Sequence, residues 1–352
     1  MRFTHETLPQ RVRFAAGDAA AAVTAEVELL GAKRVMCIAS PSEAALAEAV
    51  TAGIDVALRH DEVRMHVPVE VAERARAAAS DSQVDAIVSV GGGSTTGLAK
   101  AVALTTGVPI IAVPTTYAGS EATNVWGLTE GGTKTTGPDP RVLPAAVVYD
   151  STLMLSLPVG LSVASGLNAL AHCVDSLWAP RADPINAALA VEGARALAAG
   201  LPAVVADPTG LPGRDETLYG AYLAGVAFTS AGSGLHHKIC HVLGGRYDLP
   251  HAPTHAIVLP HVLAFNAPAC AGPVARLGGA LGSAQGDANA ALADLRRRLD
   301  APRALRDVGF REEQIPDAVQ AILPVVPPSN PVPVTTENLT TLLHAAWEGA
   351  EA

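Results

Sequence analysis

The sequence predicts an α/β domain over residues 1–157 followed by an all-α domain over residues 158–352. Three observations carry that expectation. Apolar, strand-like runs alternate with Ala-rich helical stretches through the first half; beyond about Pro158 apolar residues recur only at three- and four-residue spacing. The chain, at 352 residues and 49% hydrophobic, is also longer than one core usually serves. A net charge of −10 excludes a protein that holds nucleic acid through an excess of positive charge.

Taken in order, Arg34 to Ala39 is an apolar run that stops at the turn formers Ser40-Pro41-Ser42, as a buried parallel strand does. Ser42 then precedes Glu43 to Val50, where a hydroxyl and an early acid suit a helix start. A second strand is expected at Val63–Val67, a helix at Val69–Ala79, a third strand at Val84–Val90 and a fourth at Val108–Val113. Such alternation predicts a parallel sheet covered on both faces. In the second half Leu167, Leu170, Ala171, Val174, Leu177 and Trp178 share one helix face. Further helices are expected over 186–201, 216–231, 273–281, 288–299 and 339–350, with loops at 208–213 and 324–333. No basic segment leads into an apolar leader, and no uninterrupted apolar stretch reaches the roughly 18 residues of a membrane span. Cys37, Cys173, Cys240 and Cys270 lie far apart, neither a zinc ribbon nor a disulfide framework, so a cytoplasmic protein with no membrane partner is expected.

Two loops carry chemistry. Gly91-Gly92-Gly93-Ser94-Thr95-Thr96-Gly97-Leu98 follows a strand and runs into a helix, where backbone N–H groups can hold a phosphate. It is not a P-loop, because Leu98 stands where Lys is required, nor a G-x-G-x-x-G fingerprint, because Thr96 replaces the third glycine. Pro114 to Thr123 also follows a strand and is dense in hydroxyls. Two neighbouring strand ends of this kind form a crevice of the sort in which an open α/β sheet binds a dinucleotide.

Seven of the eleven histidines fall between His172 and His261. His237 and His241 are spaced i, i+4, as are Asn168 and His172, and His251 follows beyond a turn expected at Gly244-Gly245. The H-E-x-x-H metalloprotease pattern fails because Lys238 occupies the acid's place. Cys173 and Cys240 point off the histidine faces and read as core.

In this order the motifs resemble the iron-containing alcohol dehydrogenase family, and within it the maleylacetate reductase branch. The matching stretches are Gly91–Ser94 leading to Ala99-Lys100, Pro114–Thr116 leading to Gly119–Glu121, Ser165–His172, His237–His241, Leu249–His251 and Ala256–His261. The resemblance implies a dehydroquinate synthase-like architecture, a dinucleotide-binding α/β domain and a helical catalytic domain with the catalytic cleft between them, in a homodimer. It implies NADH or NADPH held by Ser40, Gly91, Gly92, Gly93, Ser94, Thr95, Thr115, Thr116, Tyr117, Ser120 and Lys134, with His241, His237, His172, His251 and Lys238 as catalytic residues. Metal-using relatives hold iron or zinc with one Asp and three His; the matching set here, Asn168, His172, His237 and His251, has lost its anionic ligand, so a required metal is not expected.

Three further departures stand out. Gly97 replaces a frequent Asp, Ser40 replaces the acid with which NAD-selective relatives hold the adenosine ribose, and Val332 replaces a frequent Arg. Weak selectivity between NADH and NADPH is therefore expected. The implied reaction is reduction of the maleylacetate double bond to 3-oxoadipate in aromatic-compound degradation, with Lys238, Arg246, Lys134 and Arg141 as cations for the dicarboxylate. The alternatives are a metal-dependent alcohol or polyol dehydrogenase of the same family and a catalytically silent binding protein on the same scaffold.

Overall fold

The computed structural model describes residues 2–131 and 133–351. The chain divides into two compact units, one spanning Leu8–Leu157 and the other taking the residues before Leu8 together with those from Pro158 onward.

The first unit is built on six strands: β1 (Arg11–Phe14), β2 (Val35–Ile38), β3 (Val56–His60), β4 (Ala86–Gly91), β5 (Ile110–Pro114) and, after the antiparallel hairpin of β6 (Val125–Glu130) and β7 (Thr133–Pro138), β8 (Ala146–Tyr149). They lie in the order β1-β8-β5-β4-β2-β3, and every pairing is parallel. Helices α1 (Ala19–Leu30) and α2 (Ala44–Val50) pack on one face through Val23, Val27, Ala47 and Val50. Helices α3 (Val69–Asp81) and α4 (Gly93–Thr106) cover the other through Val71, Ala75, Leu98 and Val102. Strands β2, β4, β5 and β8 are buried throughout, which is why their sequences are continuous apolar runs. From β2 the chain passes to β3 on one side and then returns to β4 on the other, so the carboxyl ends of β2 and β4 flank the topological switch point of the sheet.

Two expectations about elements are corrected. The second strand is Val56–His60, not Val63–Val67; it is an edge strand with alternating exposure, and His66 and Val67 adopt positive φ. The first strand of the unit, β1, is another half-exposed edge, held because Arg11 and Arg13 reach the fully buried Glu26 of α1 at 2.9 and 2.6 Å.

The second unit holds α5 (Val159–Ser176), α6 (Pro184–Ala206), α7 (Leu211–Ala231), α8 (Leu235–Tyr247), α9 (His251–Asn266), α10 (Ala271–Ala280), α11 (Ala288–Arg298), α12 (Ile315–Ile322) and α13 (Thr336–Glu348). Every residue of α5 from Ser162 to Ser176 is buried, so this helix is the centre of the bundle rather than an amphipathic surface helix. Helix α6 is long and apolar enough to cross a membrane by length and composition. Its apolarity serves packing on α7: a Cβ on Gly193 would lie 3.1 Å from the Gly220 carbonyl, and one on Gly220 would lie 2.9 Å from the Gly193 carbonyl. Asp183 caps α6, accepting from the N–H groups of Ile185 and Asn186, and it also binds His5 at 2.9 Å, which fastens the N-terminal segment to this unit. No turn occurs at Gly244-Gly245; α8 runs on to Tyr247, and the reversal falls at Asp248 with φ +55°.

Candidate active site

At the carboxyl end of β4, Gly91 has φ +154°, and a Cβ there would collide with Thr95 Oγ1 and lie 2.6 Å from Glu43 Oε2. Gly92 is the N-cap of α4 and is pressed against Thr116, whose Cγ2 would be 2.9 Å from a Cβ, whereas a Cβ on Gly93 would make only an ordinary contact, with Ala118 Cβ at 3.6 Å. With no side-chain cap and no acid in the first turn of α4, its leading N–H groups, at Gly93 and Ser94, can turn to an anion. The loss of the frequent Asp at Gly97 has a local reason: a Cβ would meet Val67 Cγ2 at 2.9 Å.

The second loop is held from beneath. Lys100, on α4 and fully buried, donates from Nζ to the carbonyls of Ser120 (2.6 Å), Thr123 (2.9 Å) and Val125 (3.0 Å) and to Thr123 Oγ1 (2.8 Å). Burial pulls its pKa down to about 7, against the attraction of Glu121. Burial pushes the Glu121 carboxyl up, and Tyr149 donates its hydroxyl to it at 2.8 Å. Sequence reading placed Lys100 in a motif without a role; its role is to clip the loop that carries Thr115, Thr116 and Ser120. Thr115 donates to Glu43 Oε1 and Ser40 to Glu43 Oε2, so Ser40, Gly91, Thr95, Thr115 and Glu43 meet in one place. Tyr117 is fully buried. Lys134 lies on the hairpin opposite Thr129, its pKa lowered by burial.

In the helical unit, α5, α8 and α9 converge on a histidine cluster. Asn168, His172 and Asp175 lie on one face of α5, and all three are buried. The His172 and His237 rings are 4.8 Å apart, and Phe228 of α7 packs on both at 4.7 and 4.3 Å. His237 lies 6.0 Å from His241 and 4.9 Å from His255, which in turn lies 4.3 Å from His251. Burial holds His172 and His237 well below the ordinary imidazole range. His237 donates from Nδ1 to Asp175 Oδ2 at 2.7 Å, and the same oxygen accepts the backbone N–H groups of Gly234 and His237 at 3.0 and 3.3 Å. Burial pushes Asp175 up, and those amides draw it back. The bond fixes the His237 tautomer, leaving a lone pair on Nε2.

Asn168 Oδ1, His172 Nδ1 and His237 Nε2 are buried without a hydrogen-bond partner. Bare donor atoms, with a carboxylate behind one histidine, are of the kind that a divalent cation such as the iron or zinc the resemblance implies takes as ligands. The fit is incomplete in charge, because Asn168 is neutral. Behind the cluster, donor atoms of His236, Cys240 and His255 lie within 4.8 Å of one another. His236 Nε2 and His255 Nδ1 share a hydrogen bond at 2.9 Å, while the other ring nitrogens, His236 Nδ1 and His255 Nε2, are buried without a partner. His236 (pKa about 4), His255 and Asp175 were missed from sequence, although His255 follows His251, and Asp175 follows His172, at helical spacing.

Other candidates are placed elsewhere. Lys238 is half-buried on α8, beside His237. Arg246 forms a two-point ion pair with Asp317, both contacts at 2.6 Å, and Arg141 one with Asp139, so both are engaged by carboxylates of the chain itself. Asn330 exchanges hydrogen bonds with Asn266 and holds its loop to α9. The four cysteines are free thiols.

A family model for iron-containing alcohol dehydrogenases matches residues 9–151, and one for the C-terminal part of the Fe-containing alcohol dehydrogenase family matches residues 162–347. Maleylacetate reductase 1 of Cupriavidus pinatubonensis is 44% identical over 350 residues, covering 99% of this chain and 98% of that protein. An iron-containing alcohol dehydrogenase from Corynebacterium glutamicum has a similar structure, with a TM-score of 0.97 at 59% identity over 99% of this chain and 98% of that one. A maleylacetate reductase from Agrobacterium tumefaciens gives 0.93 at 41% identity, covering 100% of both chains.

Proposed function

We propose, from the premise that this chain belongs to the iron-containing alcohol dehydrogenase family, that it is a maleylacetate reductase, reducing the carbon–carbon double bond of maleylacetate to 3-oxoadipate with NADH or NADPH in the degradation of aromatic compounds. Kinship with a maleylacetate reductase over 99% of the chain supports the branch. The observation that carries the chemistry is Asn168, a neutral amide whose bare Oδ1 lies one helical turn from His172, in a cluster whose His172 and His237 burial keeps neutral. Without an anionic ligand such a site grips a divalent cation less tightly than one that carries Asp there, which supports a reaction that asks less of a Lewis acid.

Bound reduced nicotinamide supplies a hydride. The ketone conjugated with the double bond makes the β-carbon of maleylacetate electrophilic; a C–H bond forms there, the π electrons move onto the carbonyl oxygen as an enolate, and a proton added at the α-carbon completes the product. The N–H groups of Gly93 and Ser94 at the start of α4 would hold the cofactor's pyrophosphate. His237 is not the enolate donor, because its one N–H is given to Asp175. His172 and half-buried His241 donate to the developing oxygen, and His241 delivers the proton. Lys238 pairs with a substrate carboxylate. A divalent cation would be held by Asn168, His172, His237 and His251 and would supply Lewis acidity; on the proposed reading turnover proceeds without it.

The test is consumption of NADH and NADPH with maleylacetate, glyceraldehyde and propanediol-derived aldehydes, before and after chelation. Fast turnover of maleylacetate that survives chelation is expected. Comparable rates on the aldehydes, or loss of activity restored by metal, would favour a metal-dependent alcohol dehydrogenase instead.

A further inference from the structure

Ser40 leaves no acid at the end of β2, yet a carboxylate stands there. Glu43 closes the short turn that follows β2, and its side chain folds back over the sheet. Oε2 accepts from Ser40 Oγ at 3.0 Å, Oε1 accepts from Thr115 Oγ1 at the end of β5, and Oε2 lies 2.6 Å from where a Gly91 Cβ would be, at the end of β4. One half-buried carboxylate thus bridges the ends of three adjacent strands at the switch point, beside the glycine turn that opens α4.

The partners of Glu43 among the described residues are two neutral hydroxyls, so no cation of the chain offsets its charge there. A carboxylate has about four acceptor positions, which leaves room for further hydroxyl donors. At the switch point of an open α/β sheet, an acid so placed accepts from the 2′-hydroxyl of the adenosine ribose and repels a 2′-phosphate.

We propose that Glu43 selects the cofactor: it binds the adenosine ribose of a dinucleotide with a free 2′-hydroxyl and disfavours the 2′-phosphorylated form, so that the chain prefers NADH to NADPH. This replaces the weak selectivity expected from Ser40, and it rests on the reading that this unit binds a nicotinamide dinucleotide. Any side chain at Gly91 would displace the carboxylate, which accounts for glycine there apart from its positive φ.

The experiment is direct titration of the full chain with NADH and with NADPH, followed by nucleotide fluorescence in the absence of substrate, for the wild type, Glu43→Gln and Glu43→Ser. Glutamine keeps shape and hydrogen bonding without charge; serine removes the group, and circular dichroism checks that each variant folds. The wild type is expected to bind NADH at least about tenfold more tightly than NADPH, and both variants to narrow that ratio about tenfold, chiefly by gaining affinity for NADPH. An unchanged ratio in a folded variant, or an equal gain for both nucleotides, which would mean that Glu43 merely fills the site, overturns the proposal. Failure of the wild type to bind either nucleotide overturns the cofactor reading itself, whatever the substrate.

Discussion

Substituting Asn168 by Asp places an anion among the bare donor atoms of His172 and His237. Zinc affinity, measured by competition with a chromophoric chelator, should rise at least about tenfold, the lower end of what even an outer-shell partner contributes; an unchanged affinity would mean that these atoms do not face a common cation. In the opposite sense, Asp175→Asn replaces the anionic acceptor that fixes the His237 tautomer with a neutral amide that can turn its NH2 towards Nδ1. The ¹⁵N shifts of His237 should report the proton moving from Nδ1, and zinc should bind about 10–100-fold more weakly. His241→Ala should lower turnover about a hundredfold, or roughly 3 kcal/mol, while leaving the affinity for NADH nearly unchanged; equal losses in both would make His241 a cofactor contact. Residue types at helical spacing made Asn168, His172, His237 and His241 legible from sequence. Asp175 was not, because an acid inside an apolar helix carries no sign of which neighbour will bond it.

Among elements, α4 does two jobs from one sequence: its first turn is left uncapped for an anion, while Lys100, farther along, clips the neighbouring loop. Lys100→Met removes the donor that four oxygens share, of which the Ser120 carbonyl and Thr123 Oγ1 keep other donors, and the α/β unit should lose about 3 kcal/mol in chemical denaturation. Its affinity for both reduced nucleotides should fall as the loop loosens; a variant with unaltered stability would show that the ammonium is not what holds the loop. On Gly93→Val the added Cβ makes only an ordinary contact with Ala118, so the unit should fold normally yet bind neither nucleotide well. Central strands β2, β4 and β5 were legible because burial on both faces makes them continuous apolar runs. Edge strands β1 and β3 alternate or bear charge and so give no such run; β1 depends on Arg11 and Arg13 finding Glu26, a pairing that no local pattern announces.

For the molecule as a whole, the cost of burying histidines, in the cluster and at His261 on α9, falls on acid stability. His236 and His261 are held at about 4 by burial, against about 6.5 in an unfolded chain. Between those values the unfolded state binds protons that the fold refuses, so stability is fully present above pH 6.5. It falls as pH drops towards 4, by up to about 1.4 kcal/mol per pH unit for each group. Urea denaturation of the helical unit should therefore show a lower midpoint at pH 5 than at pH 7; an equal or higher midpoint would mean that these buried histidines are charged in the fold. The α/β-plus-helical fold class was legible because strand–helix alternation and purely helical periodicity occupy different halves of the sequence, whereas the fastening of the N-terminal segment to the helical unit through His5 and Asp183 was not. The central claim is that a double bond, not a carbonyl, is reduced. It is tested most directly by turning over maleylacetate with NADH deuterated at the transferred position and locating the label in the product by NMR. Deuterium on the methylene carbon β to the ketone of 3-oxoadipate is the expected result; deuterium on a hydroxyl-bearing carbon would contradict it.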